Sequence, residues 1–173
     1  NKFIAVANWK GRGTSEVARL WVEEMFEKKD SITFGIKVVV CPPFTALPVV
    51  FSEMKNVGFT SVAIGSQNIS LDAEIKSTGE VLPELIREYA SYVIIGHSER
   101  RKYFHEKDTD VNLKVKKSLA IGLKPIMCVG ETEEEREKNV TRAVVGRQVK
   151  EGLRGVENIE NVVIAYEPVW AIG

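Results

Sequence analysis

The chain has 173 residues, 44% of them hydrophobic, enough to bury a sizeable core and to fit one domain. Lys plus Arg and Asp plus Glu each number 24, so the formal charge is zero and the electrostatic footprint of a nucleic-acid or membrane-surface binder is absent. No apolar run approaches the ~20 residues that span a bilayer, and the first, at residues 3–7, is too short for a secretory signal.

That first run reads as a strand ending in Asn8-Trp9-Lys10, with Gly11-Arg12-Gly13 behind it. Thr14 is placed to cap a helix whose Val17, Leu20, Trp21 and Met25 recur on one face. Residues 36–41 form a second buried strand, stopped by Pro42-Pro43. A shorter helix follows through Leu47, Val50, Phe51 and Met54. Residues 62–65 are a third strand delivering Ser66-Gln67-Asn68, and residues 69–80 a polar loop. A helix through Leu82, Leu85, Ile86 and Tyr89 leads to a fourth strand at 92–96, after which comes His97-Ser98-Glu99-Arg100-Arg101. Val111, Val115 and Leu119, spaced four apart, mark a helix that starts at Asp108 or Thr109 and stops at Gly122. Residues 125–129 are a fifth strand running into Gly130-Glu131-Thr132. The acidic run at 133–138 suits the positive end of a helix dipole, and the pattern carries that one helix on through Val144, Val145, Val149 and Leu153. A β-branched run from Val162 makes the sixth strand, with Glu167 where it emerges and Pro168 barring further pairing.

The β-α alternation repeats five times before the last strand, in units of roughly 30 residues. Right-handed crossovers make such strands parallel and lay the helices over the sheet. An open doubly wound sheet and a (β/α)8 barrel both satisfy the pattern, and both place chemistry beyond the carboxyl ends of the strands. The polar residues fall there: Asn8 and Lys10 after the first strand, Gln67 and Asn68 after the third, His97 after the fourth, Glu131 after the fifth and Glu167 after the sixth. Singly they have ordinary readings as a solvated lysine, a helix-capping histidine and a loop-capping carboxylate. Together, a cation, an imidazole and a carboxylate on one face suit proton transfer at a carbon next to a carbonyl. Cys41 and Cys128 lie far apart without CxxC or CxxH spacing, so two buried thiols in a cytoplasmic protein are expected rather than a disulfide or metal site. Gly11-Arg12-Gly13-Thr14 lacks the spacing and lysine of a P-loop.

Ala7-Asn8-Trp9-Lys10, Gly96-His97-Ser98-Glu99-Arg100-Arg101 and Ala165-Tyr166-Glu167-Pro168-Val169-Trp170-Ala171-Ile172-Gly173 resemble the triosephosphate isomerase family. Cys41-Pro42-Pro43, Gln67-Asn68-Ile69-Ser70, Ser77-Thr78-Gly79-Glu80 and Cys128-Val129-Gly130-Glu131 fit it in the same order, so the match runs from end to end. The resemblance implies an α/β fold of TIM-barrel type, here one partial domain over residues 1–173 with about six strands and five helices. It implies interconversion of dihydroxyacetone phosphate and glyceraldehyde 3-phosphate through an enediol, a step of glycolysis and gluconeogenesis, with no metal and no organic cofactor. Glu167 would be the base, His97 a neutral electrophile, Lys10 the positive charge toward substrate, and Asn8 a group that positions the substrate oxygens. Glu99 and Cys128 would support them from behind. Ala171, Ile172 and Gly173 would belong to the lid over the phosphate.

Some positions depart from the family. Gly11-Arg12 stand where it usually has Met-Asn, and Glu74-Ile75-Lys76-Ser77 where the third loop usually carries Gly-Ala-Phe on its way into the partner subunit. A complete barrel typically takes about 250 residues, so the rest of the lid and strands seven and eight are not in this sequence. The first and sixth strands would then expose unpaired edges. The expected partners are a triose phosphate substrate and either further copies in a homo-oligomer or a complementing chain, with no nucleic acid and no membrane. Three readings stand: part of an ordinary isomerase, a short homologue completed by association, or a non-enzymatic scaffold.

Overall fold

Among the described residues, aliphatic and β-branched runs build six strands, β1 (Phe3–Asn8), β2 (Ile36–Cys41), β3 (Val62–Ser66), β4 (Tyr92–Ile95), β5 (Lys124–Val129) and β6 (Val163–Tyr166). The computed structural model describes residues 3–32, 35–71 and 78–172; the expectations placed on residues 74–77 and on Gly173 lie outside these. The strands pair in sequence order, each parallel to the next, from Phe3 against Ile36 at one edge to Val129 against Tyr166 at the other. A doubly wound sheet would reverse its order at a switch point. This one never reverses, which selects the barrel architecture.

The curl has a packing cause. Val40, Val93, Ile95, Met127 and Val129 point outward into the main core with the helices. Their neighbours Val39, Cys41, Tyr92, Ile94, Ile126 and Cys128 point inward and pack on one another, and no helical residue joins them. With side chains alternating between faces, both faces of the sheet are apolar. Only a sheet curved into a half-barrel buries the inner set without a second layer.

Among the described residues seven α-helices flank the sheet: α1 (Ser15–Glu27), α2 (Leu47–Asn56), α3 (Pro83–Arg87), α4 (Ser98–Tyr103), α5 (Asp108–Ala120), α6 (Glu133–Glu137) and α7 (Thr141–Gly152). Four details differ from the expectation of five helices, the first being the short α4, which stands apart from α5. The helix expected around Leu82–Tyr89 is the five-residue α3, with Pro83 at its first turn. The single long helix expected from 133 to 153 is two, because Asn139 adopts a left-handed φ of 57° between α6 and α7. On α1 the buried face is Ala18 and Val22, while Val17 and Leu20 are 49% and 58% exposed. Trp21 and Met25 do pack on the core. Val17 and Leu20 match the apolar period, but no described element packs against that side.

Thr14 caps α1 as its sequence suggests, its hydroxyl accepting from the Val17 N–H. Thr14→Ala is expected to cost about 1 kcal/mol, a fall in melting temperature of about 2–4 °C by circular dichroism. Among the described residues no helix is long and apolar enough to cross a membrane.

Candidate active site

The carboxyl ends of the strands are tied together by side chain to backbone bonds. Gln67, after β3, donates from Nε2 to the Lys10 carbonyl at 2.8 Å and to the Cys41 carbonyl at 2.9 Å, joining the ends of β1, β2 and β3. Lys10 sits in the left-handed region with φ 54°, and Asn8 Oδ1 accepts from its N–H at 2.9 Å. A lysine in that region carries strain of order 1 kcal/mol, held here by these bonds. Its ammonium reaches Glu99 Oε1 at 2.8 Å. Asn8, Lys10, Gln67, His97 and Glu99 line one cavity of about 360 Å³. A larger groove of about 490 Å³, lined by Phe51, Met54 and Tyr89, opens at the opposite ends of β3 and β4. It gathers none of these groups.

His97 is buried and caps α4, its Nδ1 accepting from the Glu99 backbone N–H at 3.2 Å. A backbone N–H can only donate, so Nδ1 presents a lone pair and the ring proton belongs on Nε2. Nε2 faces Glu167 Oε1 at 3.3 Å, and the other oxygen, Oε2, accepts from the Ser98 N–H at 3.3 Å. The ordinary reading of His97 as a cap and the chemical one are thus the same arrangement. Capping fixes the tautomer, and the tautomer aims a donor at the carboxylate.

Behind this pair lie residues of β5 and the turn after it. The Cys128 thiol lies near the Glu167 carboxylate; burial first, then that negative charge, push it far above the usual range. Burial alone pushes the Cys41 thiol up to about 12, and both cysteines are free and buried as expected. The Gly130 backbone is gripped by the Gln148 amide, whose Oε1 accepts from its N–H at 2.8 Å and whose Nε2 donates to its carbonyl at 3.1 Å. A Cβ on Gly130 would lie 1.7 Å from the Glu167 carbonyl oxygen, so only glycine lets the two backbones pass.

Glu131 is fully buried and accepts from the Tyr166 hydroxyl at 3.0 Å and from the Trp170 indole N–H at 3.0 Å. Burial works to raise its pKa, but hydrogen bonding from its own backbone N–H, Trp170, Tyr166 and Thr141 together outweighs burial and holds it below the ordinary value of 4.5. A carboxyl depressed in the fold stabilises it above the unfolded value and loses that contribution as pH falls through the folded one. Acidification below about pH 4.5 should therefore release Trp170, seen as a change in its fluorescence, and Glu131→Gln should abolish that acid-side transition.

Lys10, Asn8, His97 and Glu99, named from the sequence, share one cavity; Glu167 adjoins it through His97, and Cys128 lies near Glu167. Ala171 and Ile172 stand apart on an exposed turn, their N–H groups donating to the Pro168 and Val169 carbonyls. Sequence reasoning left out of the site Gln67 as a tie between strand ends, Gln148 as a clamp, and the Ser98 N–H. Gln67 carried a signal, a polar residue at a strand end. Gln148 carried none, lying mid-helix in α7.

A family model described as triosephosphate isomerase matches residues 3–173. The triosephosphate isomerase of Carboxydothermus hydrogenoformans is 47% identical over 174 residues, covering 99% of this chain and 67% of the relative. Those of Dictyoglomus thermophilum and Clostridium botulinum are each 44% identical, covering 98% of this chain and 68% of theirs. The chain thus spans about two thirds of the length of these relatives, with 67% and 68% of them covered. Such identity, sustained from the first strand to the turn beyond the sixth, means that this chain belongs to the triosephosphate isomerase family.

Proposed function

We propose that this site interconverts dihydroxyacetone phosphate and glyceraldehyde 3-phosphate by proton transfer through an enediol. The carrying observation is the 3.3 Å approach of His97 Nε2 to Glu167 Oε1 with Nδ1 committed to a backbone N–H. A substrate entering between them presents its carbonyl oxygen to the Nε2–H and an adjacent C–H to the carboxylate. Glu167 takes the proton from one carbon and returns it to the other, and His97 donates to the oxygen on which negative charge develops. For this the carboxylate leaves the Ser98 N–H, which otherwise stabilises its charge. Lys10 gives the anionic substrate a positive end, Asn8 orders its oxygens, and Glu99 holds both the ammonium and the His97 turn. The segment holding Ala171 and Ile172 closes over the phosphate. No metal or organic cofactor enters this scheme. The buried free thiols fit a reducing cytoplasm, where this reaction serves glycolysis and gluconeogenesis.

The edges of the half-barrel support a second element of the proposal, assembly with further copies or a complementing chain. Phe3 is 70% exposed on β1, and Ile164 and Tyr166 are 42% and 51% exposed on β6. Open strand edges bearing apolar side chains invite pairing. Light scattering should show oligomers, and turnover should rise more than linearly with protein concentration. A stable monomer contradicts the assembly. The chemistry is tested by following the triose phosphates in D2O, where enediol exchange should place deuterium on carbon. No turnover and no exchange at any protein concentration would sink the isomerase reading for this chain on its own.

A further inference from the structure

We propose that Arg101, anchored by Asp108, is a positioning residue that fixes the turn carrying His97 against Glu167. The proposal rests on the isomerase reading above but concerns the geometry behind it. His97 follows Gly96, whose φ of +70° puts a left-handed turn between β4 and the imidazole. Glycine lacks the steric restraint of a Cβ, so the turn before the histidine is held by what packs on it and bonds to it.

Arg101 supplies such a bond. From inside α4 its side chain doubles back, and Nε donates to the Gly96 carbonyl at 2.9 Å. Another arm donates to Asp108 Oδ1 at 2.6 Å, at the first residue of α5. Asp108 is itself steadied from α7 by Arg147, whose Nε lies 3.4 Å from Oδ2. A planar guanidinium can hold the carbonyl and the carboxylate at fixed angles to each other, which an ammonium on a flexible stem cannot.

The third arm separates this role from a mere link between two helices. It is buried and has no hydrogen-bond partner among the described residues. A Cβ on Gly96 would come within 3.2 Å of it and within 2.8 Å of Val111, so the turn and the guanidinium are packed together without slack. Arg101 also lines a small cavity together with Ser98, Cys128, Gly130 and Glu167. Its charge is felt there, drawing the Cys128 thiol downward against the larger upward effects of burial and Glu167. Arg101 therefore touches the joint before His97 on one side and the cavity it shares with Glu167 on the other.

The chain has two histidines, so imidazole ¹⁵N spectra give His97 with His105 as an internal control. In Arg101→Met, the His97 signals should move away from the pattern of a ring protonated at Nε2, with those of His105 unchanged. The kcat should fall about 100-fold with KM within about threefold, as expected when the geometry slips by about an ångström. Arg101→Lys, which can keep one of the two bonds, should recover part of both effects. Where Arg101→Met does not fold by circular dichroism, Asp108→Asn loosens the anchor and should give the same His97 shift at smaller amplitude. A folded variant with unchanged His97 signals overturns the proposal, as does a rise in KM at constant kcat. If the unsubstituted chain has no turnover, the isomerase reading fails for this chain on its own, and the imidazole spectra still decide the role of Arg101.

Discussion

Glu167→Gln is expected to lower triose phosphate turnover by about 10²- to 10⁴-fold, the range that a positioned general base contributes. The amide keeps an oxygen that can accept from the Ser98 N–H, so the turn after β6 should retain its place. It has no basic lone pair to take a proton from carbon. Because the base acts only as the proton moves, the loss should fall on kcat and leave KM nearly unchanged. Glu167→Asp separates basicity from reach: the carboxylate survives but retreats by one methylene, and a displacement of about 1 Å can cost about 10²-fold. Circular dichroism melts should stay within about 4 °C for both variants. Glu167→Gln with turnover equal to that of the parent would remove Glu167 from the role of base.

The second large effect lies in a residue with no side chain. Gly130→Ala places a methyl 1.7 Å from the Glu167 carbonyl oxygen and 2.7 Å from its carbonyl carbon, well inside contact distance of backbone atoms. Flexible side chains can swing away from such a clash; these backbones cannot. The Glu167 N–H donates to the Val129 carbonyl at 2.7 Å, and Gln148 holds Gly130 on both its N–H and its carbonyl. One set of bonds must break, at a cost of about 3 kcal/mol, or a fall of about 6–12 °C in melting temperature. If the chain yields on the β6 side, Glu167 leaves His97 and turnover is lost with the stability. A melt within a degree of the parent and full turnover would show that the two backbones pass less closely than this.

Much of the fold could be read from the residues alone. The five-fold alternation of apolar strand and amphipathic helix was legible because each strand is a short apolar run set off by Gly, Pro or polar residues. The break at Asn139 was not legible, since a left-handed asparagine looks like any exposed polar residue in a helical pattern. Nor was the exposure of Val17 and Leu20. Periodicity records which residues would suit a buried face, but not whether a neighbour covers it.

The division at the site follows the same physics. Sequence by itself determined which chemical groups are available and at which strand ends they emerge, because strand, turn and helix are local and the carboxyl ends of parallel strands all lie on one side. Through its motifs it also determined the family. The tertiary structure decided what local sequence does not hold. The unreversed strand order chose the half-barrel over the doubly wound sheet. It decided that Nδ1 of His97 is occupied and Nε2 faces Glu167. It also decided that Gln148, Gly130 and Arg101 serve the site from α7, the end of β5 and α4. Those relations join residues tens of positions apart across a curved sheet, and a distance of 1.7 or 3.3 Å between them exists only once the backbone has closed.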